Sequence, residues 1–264
     1  MRRYLALTKG DFMASAAYRV HFIFIFATNI FYIVLLYFLW KAIYGDPTKV
    51  MNGMTFNQVF TYLALASSIF CLFQTYMEWE MSRNVLSGNI VIDLIRPLEL
   101  QLRMMFTDLG FALTNLITIT IPSLLVIIFI FKSQINFGVN MLFFIVGVVF
   151  SYLISFSISF LVGLISFYTQ SIWGFFFAKE GVVLLLSGAA IPLSFYPGML
   201  RKIVDLLPFQ AIYNIPLTIL TSPGLVFNEC FRLLGVQLIW VIVLFSAGRF
   251  FYNRAIKVIT VNGG

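Results

Sequence analysis

The segment EWEMSRNVLSGNIVIDLIRPLELQLRMMFTD, residues 78–108, separates two apolar runs that are each long enough to cross a lipid bilayer. It carries eight charged side chains, although the whole chain of 264 residues has only 17 basic and 10 acidic ones. A charge is costly inside a membrane, so this polar segment is expected outside the hydrocarbon core. So many charges in one internal segment predict a docking surface for another protein.

Composition identifies the chain as an integral membrane protein, because 61% of its residues are hydrophobic and 18% are aromatic. A helix needs about 20 mostly apolar residues to cross the hydrocarbon core, and six stretches qualify. They are Val20–Trp40, Phe56–Met77, Leu109–Phe131, Val139–Val162, a fifth of open limits within Ile172–Phe195, and Leu233–Phe251. The sequence therefore predicts one all-α membrane domain over residues 1–264, with six transmembrane helices.

Lysine and arginine predict which side each loop faces, because cytoplasmic loops of membrane proteins retain an excess of these residues. With both termini inside, ten basic residues fall on the inner side and five or six on the outer side. This orientation places the polar segment, residues 78–108, in the cytoplasm. Topology and anionic membrane lipids then account for the net charge of +7, and no nucleic-acid partner is required.

The amino-terminal residues 1–19 favour an amphipathic helix on the inner leaflet. Leu5, Phe12 and Met13 fall on one side of a helical wheel, and basic residues surround the rest. A short solvated tail is the alternative.

The second unusual segment, residues 187–223, holds five of the eight prolines and cannot form one uninterrupted helix. Broken apolar backbone at membrane depth has to be buried in protein or to line a cavity. We therefore expect an outer re-entrant segment of short helices around an exit path. A hydrophobic loop on the outer surface is the alternative.

Residues that carry catalysis or energy coupling in other proteins are missing from the sequence. It has no Gly-x-x-x-x-Gly-Lys-Ser/Thr phosphate loop, so any dependence on ATP has to come from a partner. The single histidine, His21, has no metal-ligating residue at ligand spacing. The interiors of spans one, two, three, four and six lack the acidic residues that ion-coupled carriers bury. These absences argue against an enzyme and against a secondary carrier.

Helical spacing within the polar segment predicts two short helices with a kink at Pro97. Ser87-Gly88-Asn89 is a turn signal, residues 90–95 form an apolar stripe interrupted by Asp93, and apolar residues recur at helical spacing over 98–106. Such helices would lie against the inner leaflet and turn their charged edge to a cytosolic protein. An ordinary amphipathic connector is the alternative.

Several motifs occur in an order that is typical of one family of membrane proteins. They are Ser87-Gly88 and Asp93-Leu94-Ile95-Arg96-Pro97, then Leu186-Ser187-Gly188, Ile191-Pro192-Leu193-Ser194-Phe195 and Pro197, then Leu207-Pro208-Phe209-Gln210 with Tyr213 and Pro216, and finally Gly248-Arg249 through Ala255 to Gly263-Gly264. Together they resemble a type-2 ABC exporter permease. The resemblance is closest to permeases of similar length that are uncharacterised or described as daunorubicin-like export subunits.

The resemblance implies a dimer of six-span permeases, with the same or a homologous chain as the second copy. It also implies two cytosolic ABC ATPase subunits, which carry ATP and Mg²⁺, whereas the permease itself holds no cofactor. In such permeases a coupling helix after span two fits a groove of the ATPase. Mapped onto this sequence, the expected coupling residues are Arg83, Gly88, Asp93, Arg96, Pro97 and Arg103.

The implied mechanism is alternating access or squeezing. ATP binding closes the ATPase pair, the polar segment transmits the movement, and spans two and five reshape the path. The segment between spans five and six caps the path, with Pro192, Phe195, Pro197, Pro208 and Phe209 as the expected outer gate. We expect the cell membrane of a prokaryote as the location, with both termini cytoplasmic.

Aromatic residues mark a candidate path for an amphipathic or hydrophobic substrate. The expected wall residues are Phe70, Phe73, Tyr76, Phe175 and Phe176. Phenylalanine equally suits a lipid-facing surface or a helix contact, so the wall is one of two interpretations.

Lys179 and Glu180 also leave two interpretations open. If span five begins near Gly181, both charges lie at its inner end and residues 163–177 are partly an interfacial helix. If the span begins earlier, the two charges belong to the path.

An ATP-driven exporter permease is therefore the leading hypothesis for the function. A stand-alone carrier or channel is the alternative, and a membrane scaffold without transport activity is a third.

Overall fold

The computed structural model describes residues 1–46, 48–133, 138–222 and 224–258, and within these ranges the protein is built from α-helices. The expected all-α class is thereby confirmed in its coarse form. One small hairpin departs from it, formed by β1 (Val50–Met51) and β2 (Met54–Thr55). Its turn residues Asn52 and Gly53 both have positive φ, as a tight hairpin turn requires. Pro223, the last residue of the proline-rich segment, and Gly263-Gly264, the last of the family motifs, lie outside the described ranges.

Five helical segments in the described part of the chain are long and apolar enough to cross a membrane. The first is α2 (Arg19–Tyr44), and the second combines α3 (Phe56–Leu72) with α4 (Met77–Leu86). The third runs from α6 (Leu100–Asn115) through a π-helical turn (Leu116–Thr120) into α7 (Ile121–Phe129). The last two are α8 (Asn140–Leu164) and α12 (Phe227–Ala255). They confirm a multi-pass membrane protein.

The expected fifth span is a shorter helix than the others. It forms α9 (Trp173–Leu186), whose 14 residues cover about 21 Å at 1.5 Å per residue. The hydrocarbon core of a bilayer is about 30 Å thick. A topology of six crossings therefore stays a prediction.

The polar segment differs from its expected shape. It contains α4 and α5 (Ile90–Ile95), and the residues after Pro97 begin the third long helical segment at Leu100. Helix α6 continues past Leu109 without a break, so the separate short helix expected after Pro97 is wrong. Where along this helix the membrane crossing begins stays a prediction.

Span two is interrupted where it was expected to be continuous. Helix α3 ends at Leu72 and α4 begins at Met77, with non-helical backbone between them. Helix α3 is the central element of the fold, because only Asn57, Gln58 and Phe70 of its residues are not buried. A helix that is apolar all round in this way belongs to the middle of a bundle.

Polar side chains join the helices around α3. The Gln237 amide nitrogen of α12, which has two N–H donors, lies within hydrogen-bond distance of three acceptors, Gly147 O, Ser151 Oγ and Ala211 O, at 2.7 to 3.1 Å. Such bonds hold helices together where water is absent, because the alternative is an unsatisfied polar group in hydrocarbon.

The segment 187–222 is a series of short helices, as its prolines predict. After α9 come a 3₁₀ turn (Leu193–Phe195), α10 (Gly198–Val204), a second 3₁₀ turn (Pro208–Ala211) and α11 (Asn214–Thr221). Most residues of α11 are buried against α3 and α8. This burial contradicts a simple surface loop and satisfies the rule that broken apolar backbone is enclosed by protein.

The amino-terminal helix is confirmed as α1 (Arg2–Ala16), and it packs along α6. The Thr8 hydroxyl donates a hydrogen bond to Phe106 O at 2.6 Å, and the rings of Tyr4 and Phe106 lie 5.2 Å apart. Gly110 makes this close approach possible, because a Cβ there would lie 2.5 Å from Thr8 O. Its place on the inner leaflet stays a prediction.

Replacing Gly110 with alanine should lower the free energy of unfolding by about 1–3 kcal/mol, because the added methyl group overlaps the backbone of α1. The measurement is denaturant unfolding of the purified protein in mixed micelles. Gly10→Ala is the matched control, since a Cβ at Gly10 meets no atom within 4 Å. Equal stability of the two variants would contradict the tight contact between α1 and α6.

Candidate functional site

A partly open cavity of about 230 Å³ brings together four of the five aromatic residues expected in the path. Phe70 and Phe73 come from the end of α3, Tyr76 from the break before α4, and Phe176 from α9. Phe175 is not among the lining residues, and its side chain is about half exposed. Four of the predicted wall residues therefore lie around one cavity together with Tyr213, and their role in a path stays a prediction.

The interruption of span two forms part of the cavity wall. Gln74, Thr75 and Tyr76, which connect α3 to α4, all line it. Non-helical backbone at membrane depth is tolerated where it is enclosed by protein or faces a cavity, because its polar groups need partners. The break and the cavity are thus two aspects of one feature.

Lys179 is the charged centre of the wall. Its Nζ lies 2.5 Å from Glu78 Oε1, 2.8 Å from Glu180 Oε1 and 3.2 Å from Ser159 Oγ. The Glu78 side chain is completely buried, whereas that of Glu180 is about one-third exposed. The ammonium also lies 5.0 Å from the centre of the Phe176 ring. These partners offset the free-energy cost of burying the Lys179 ammonium away from water.

Helix α9 begins at Trp173, before Gly181, so Lys179 and Glu180 lie in its middle and face the cavity. Residues 163–177 are not one helix, because α8 runs to Leu164 and a short 3₁₀ turn (Ile165–Phe167) precedes α9. Which part of α9 crosses the membrane stays a prediction. The ion pair with Glu78 removes the energetic objection to this arrangement.

The polar segment starts inside the bundle and then turns back. Helix α4 buries Glu78 and Met81 against α8. Gly163 of α8 allows this contact, because a Cβ there would lie 3.0 Å from Met81 Sδ. Helix α4 ends at a turn where Gly88 has φ of +75°, and α5 follows.

Two of the expected coupling residues bind each other. Arg103 Nη2 lies 2.7 Å from Asp93 Oδ2, and both side chains are more than nine-tenths buried. The Asn84 amide donates a hydrogen bond to the same Asp93 oxygen at 3.3 Å. These contacts tie α5 both to α4 and to the start of α6.

The other four expected coupling residues, Arg83, Gly88, Arg96 and Pro97, are exposed. Three apolar side chains, Leu86, Ile92 and Ile95, are also exposed there, and Ile95 is 76% exposed. We did not predict these three from the sequence. The signal for Ile92 and Ile95 was the apolar stripe over residues 90–95, which is too wide for one buried face of a six-residue helix, whereas Leu86 lies before it at the end of α4.

The turn after Pro97 is fixed from two sides. Glu99 forms an ion pair with Arg249 of α12, and its backbone N–H donates a hydrogen bond to the Tyr4 hydroxyl of α1 at 3.3 Å. The end of the polar segment is thereby joined to the first and last helices.

The surroundings of α1 hold a further carboxyl beside the polar segment. Asp11 and Glu80 line a smaller cavity of about 150 Å³. Burial, together with the negative charge of Glu80, raises the pKa of the Asp11 carboxyl above its usual range, and hydrogen bonds from Ser15 and the Phe111 backbone oppose the rise.

The expected outer-gate residues do not form one cluster. Pro192 lines a polar cleft of about 640 Å³ between the hairpin turn, α11 and α12, and Phe195 packs edge-to-face on Trp40 at 5.4 Å. Pro197 is the residue before α10 and is exposed, while Pro208 and Phe209 are half-buried in the second 3₁₀ turn. A role for these residues in gating stays a prediction.

The comparison with protein families gives one match. A family model described as ABC-2 family transporter protein matches residues 30–263, which is most of the chain. No curated protein matches the sequence.

Replacing Lys179 with methionine should lower the free energy of unfolding by about 3–5 kcal/mol, because Glu78 keeps a buried charge without its partner. Unfolding in mixed micelles measures this loss. The double variant Glu78→Gln with Lys179→Met should lose clearly less, since neither charge remains. A single variant as stable as the parent protein would contradict the ion pair.

Proposed function

We propose that this chain, which belongs to the ABC-2 family of transporter proteins, is the permease subunit of an ATP-driven exporter. The family match supports a membrane permease of an ABC transporter, and the direction of transport and the coupling to ATP are our proposal. The exporter lies in the cell membrane of a prokaryote, with both termini in the cytoplasm. Helix α9 and the short helices after it make the remaining crossing, so that the total is six.

One observation carries the proposal, namely the ion pair between Lys179 and Glu78. Lys179 lies in the wall of the aromatic cavity, whereas Glu78 belongs to α4 at the start of the polar segment. A displacement of α4 therefore acts directly on the cavity wall. This is the connection that a permease needs between its docking surface and its substrate path.

The energy source in this proposal is a separate ABC ATPase. The sequence contains no phosphate loop of its own, so ATP and Mg²⁺ bind to the partner. Two ATPase copies serve two permease chains, and the second permease is the same chain or a homologue.

The docking surface in this proposal is the exposed part of the polar segment. Arg83, Gly88 and Arg96 present charge and a tight turn, and Ile92 and Ile95 present apolar area to the partner. Apolar side chains in the centre of an interface, surrounded by charge, are the usual source of its binding energy. Asp93 and Arg103 then act indirectly, because they bind each other and hold α5 in place.

Transport follows from a movement of the polar segment. ATP binding closes the ATPase pair and shifts α4 and α5, and the Glu78–Lys179 pair carries that shift to α9. The cavity between α3, α8 and α9 changes shape as a result, and the short helices of residues 187–222 cap the path.

The test is reconstitution with and without the ATPase. Vesicles that contain the permease and its ATPase should accumulate substrate only with hydrolysable ATP. Nucleotide-independent transport by the permease alone would instead establish the stand-alone carrier or channel.

The double variant Ile95→Ser with Arg96→Ala should weaken ATPase binding by about 1–3 kcal/mol, because it removes exposed apolar area and charge from the docking surface. Quantitative co-purification at several salt concentrations measures the loss. Lys202→Ala with Ile203→Ser is the matched control, since it removes an exposed basic and an exposed isoleucine side chain from α10. Equal retention of the ATPase by both variants would remove residues 95 and 96 from the docking surface.

A further inference from the structure

The charged group at the cavity carries an excess of negative charge. Lys179 and Glu180 line the cavity, and the fully buried Glu78 binds Lys179 from behind the wall, so one positive charge meets two negative ones. The formal charge of this group is therefore −1. In the described part of the chain, no cluster of three His, Cys, Asp or Glu residues could hold a metal ion. The excess charge thus lacks a metal partner within the described residues.

Lys179 has no free donor for a ligand. An ammonium group has three N–H donors, and Glu78, Glu180 and Ser159 occupy them at 2.5 to 3.2 Å. Glu180 is different, because its side chain is about one-third exposed and only its Oε1 lies beside Lys179. A carboxylate oxygen remains open to the cavity, whereas the cation does not.

The hydroxyl of a second polar wall residue, Thr75, is bonded within the protein. The Thr75 hydroxyl donates its proton to Asp108, and the same oxygen accepts a hydrogen bond from the Met77 backbone N–H at 3.1 Å. Its donor capacity is therefore used inside the protein. Like Glu180, Thr75 turns no free positive or donor group toward the cavity.

The aromatic side chains complete the recognition. Phe70, Phe73, Tyr76, Phe176 and Tyr213 line the same space. The faces of aromatic rings attract cations, and clusters of such rings are used to recognise quaternary ammonium groups. The protein already uses one of these rings in this way, since the Lys179 ammonium lies over Phe176 at 5.0 Å.

We propose that this cavity binds an amphipathic organic cation, with its ammonium group beside Glu180 and its apolar part among the aromatic rings. The identification of this ligand as transported cargo rests on the proposed permease function. The size of the cavity, about 230 Å³, suits one ring with a substituted ammonium group or the equivalent part of a larger molecule.

Three probes of similar size separate charge from hydrophobicity. Benzyltrimethylammonium is the cation, benzylsulfonate is an anion with the same number of non-hydrogen atoms, and N,N-dimethyl-2-phenylacetamide is a neutral analogue. The full-length chain in lipid nanodiscs is titrated with each by ligand-detected NMR, and empty nanodiscs correct for partition into lipid. The cation should bind about tenfold more tightly than either other probe, a difference of about 1.4 kcal/mol.

Matched variants locate the binding. Glu180→Gln should abolish the preference for the cation, whereas Glu229→Gln, an equivalent change at an exposed position of α12, should leave it intact. Phe176→Leu should weaken binding of the cation more than binding of the neutral probe, because the substitution removes an aromatic ring face and keeps an apolar side chain. Thermal unfolding of each variant verifies that it is folded.

The possible outcomes distinguish failure of the cation-binding inference from failure of the proposed permease function. Equal binding of all three probes, tighter binding of benzylsulfonate, absence of binding, or a cation preference that survives Glu180→Gln would overturn the inference. None of these results depends on nucleotide or on the ATPase. Failure of ATP-dependent transport with an intact cation preference would instead overturn the proposed function alone.

Discussion

The constraint behind this structure is that polar groups inside a bilayer need partners within the protein. The fully buried Glu78 follows it, because it binds Lys179, and in the polar segment the buried Asp93 likewise binds Arg103. The first pair joins residues from distant parts of the chain, and the two pairs fix where α4, α5 and α9 lie. Hydrophobic packing alone would not fix these positions. Lipid tails are as apolar as the helix surfaces, so an apolar helix gains little from contacting another helix instead of lipid. The polar pairs therefore supply the specificity of the fold.

The same constraint links the cavity to the docking segment. A break in span two would expose unsatisfied backbone groups to lipid, and the cavity between α3, α8 and α9 encloses them. The helix that follows the break, α4, begins with the glutamate that neutralises the cavity lysine. Because the interruption and the ion pair occur together, α4 can shift relative to α3 without unwinding a continuous helix, and the shift reaches Lys179. The surface that we propose for the partner and the space that we propose for the ligand are thus connected through one short helix.

Local features of the sequence were predictable, and long-range ones were not. The spans of α2, α8 and α12 follow from apolar length, and the broken helices of residues 187–222 follow from proline, because each signal lies within one continuous stretch of sequence. The third long helix begins nine residues before the predicted span, because the charge of Arg103 argued against helix packing there while its partner Asp93 belongs to another helix. Glu78 and Lys179 are 101 residues apart, and no local pattern indicates such a pair. In the candidate path, Phe175 was wrongly grouped with Phe176, since neighbouring residues of a helix point about 100° apart.

The length of α9 has a consequence for the surrounding lipid. Its 14 residues fall short of the hydrocarbon thickness by about 9 Å, and the next element is a short 3₁₀ turn. Where this helix borders the bilayer, the acyl chains next to it have to compress or tilt, which costs a fraction of a kcal/mol for each ångström. Hydrophobic mismatch therefore makes the energy of this region depend on acyl-chain length. A thinner membrane relieves the mismatch, and so does a second protein surface that replaces the lipid along α9.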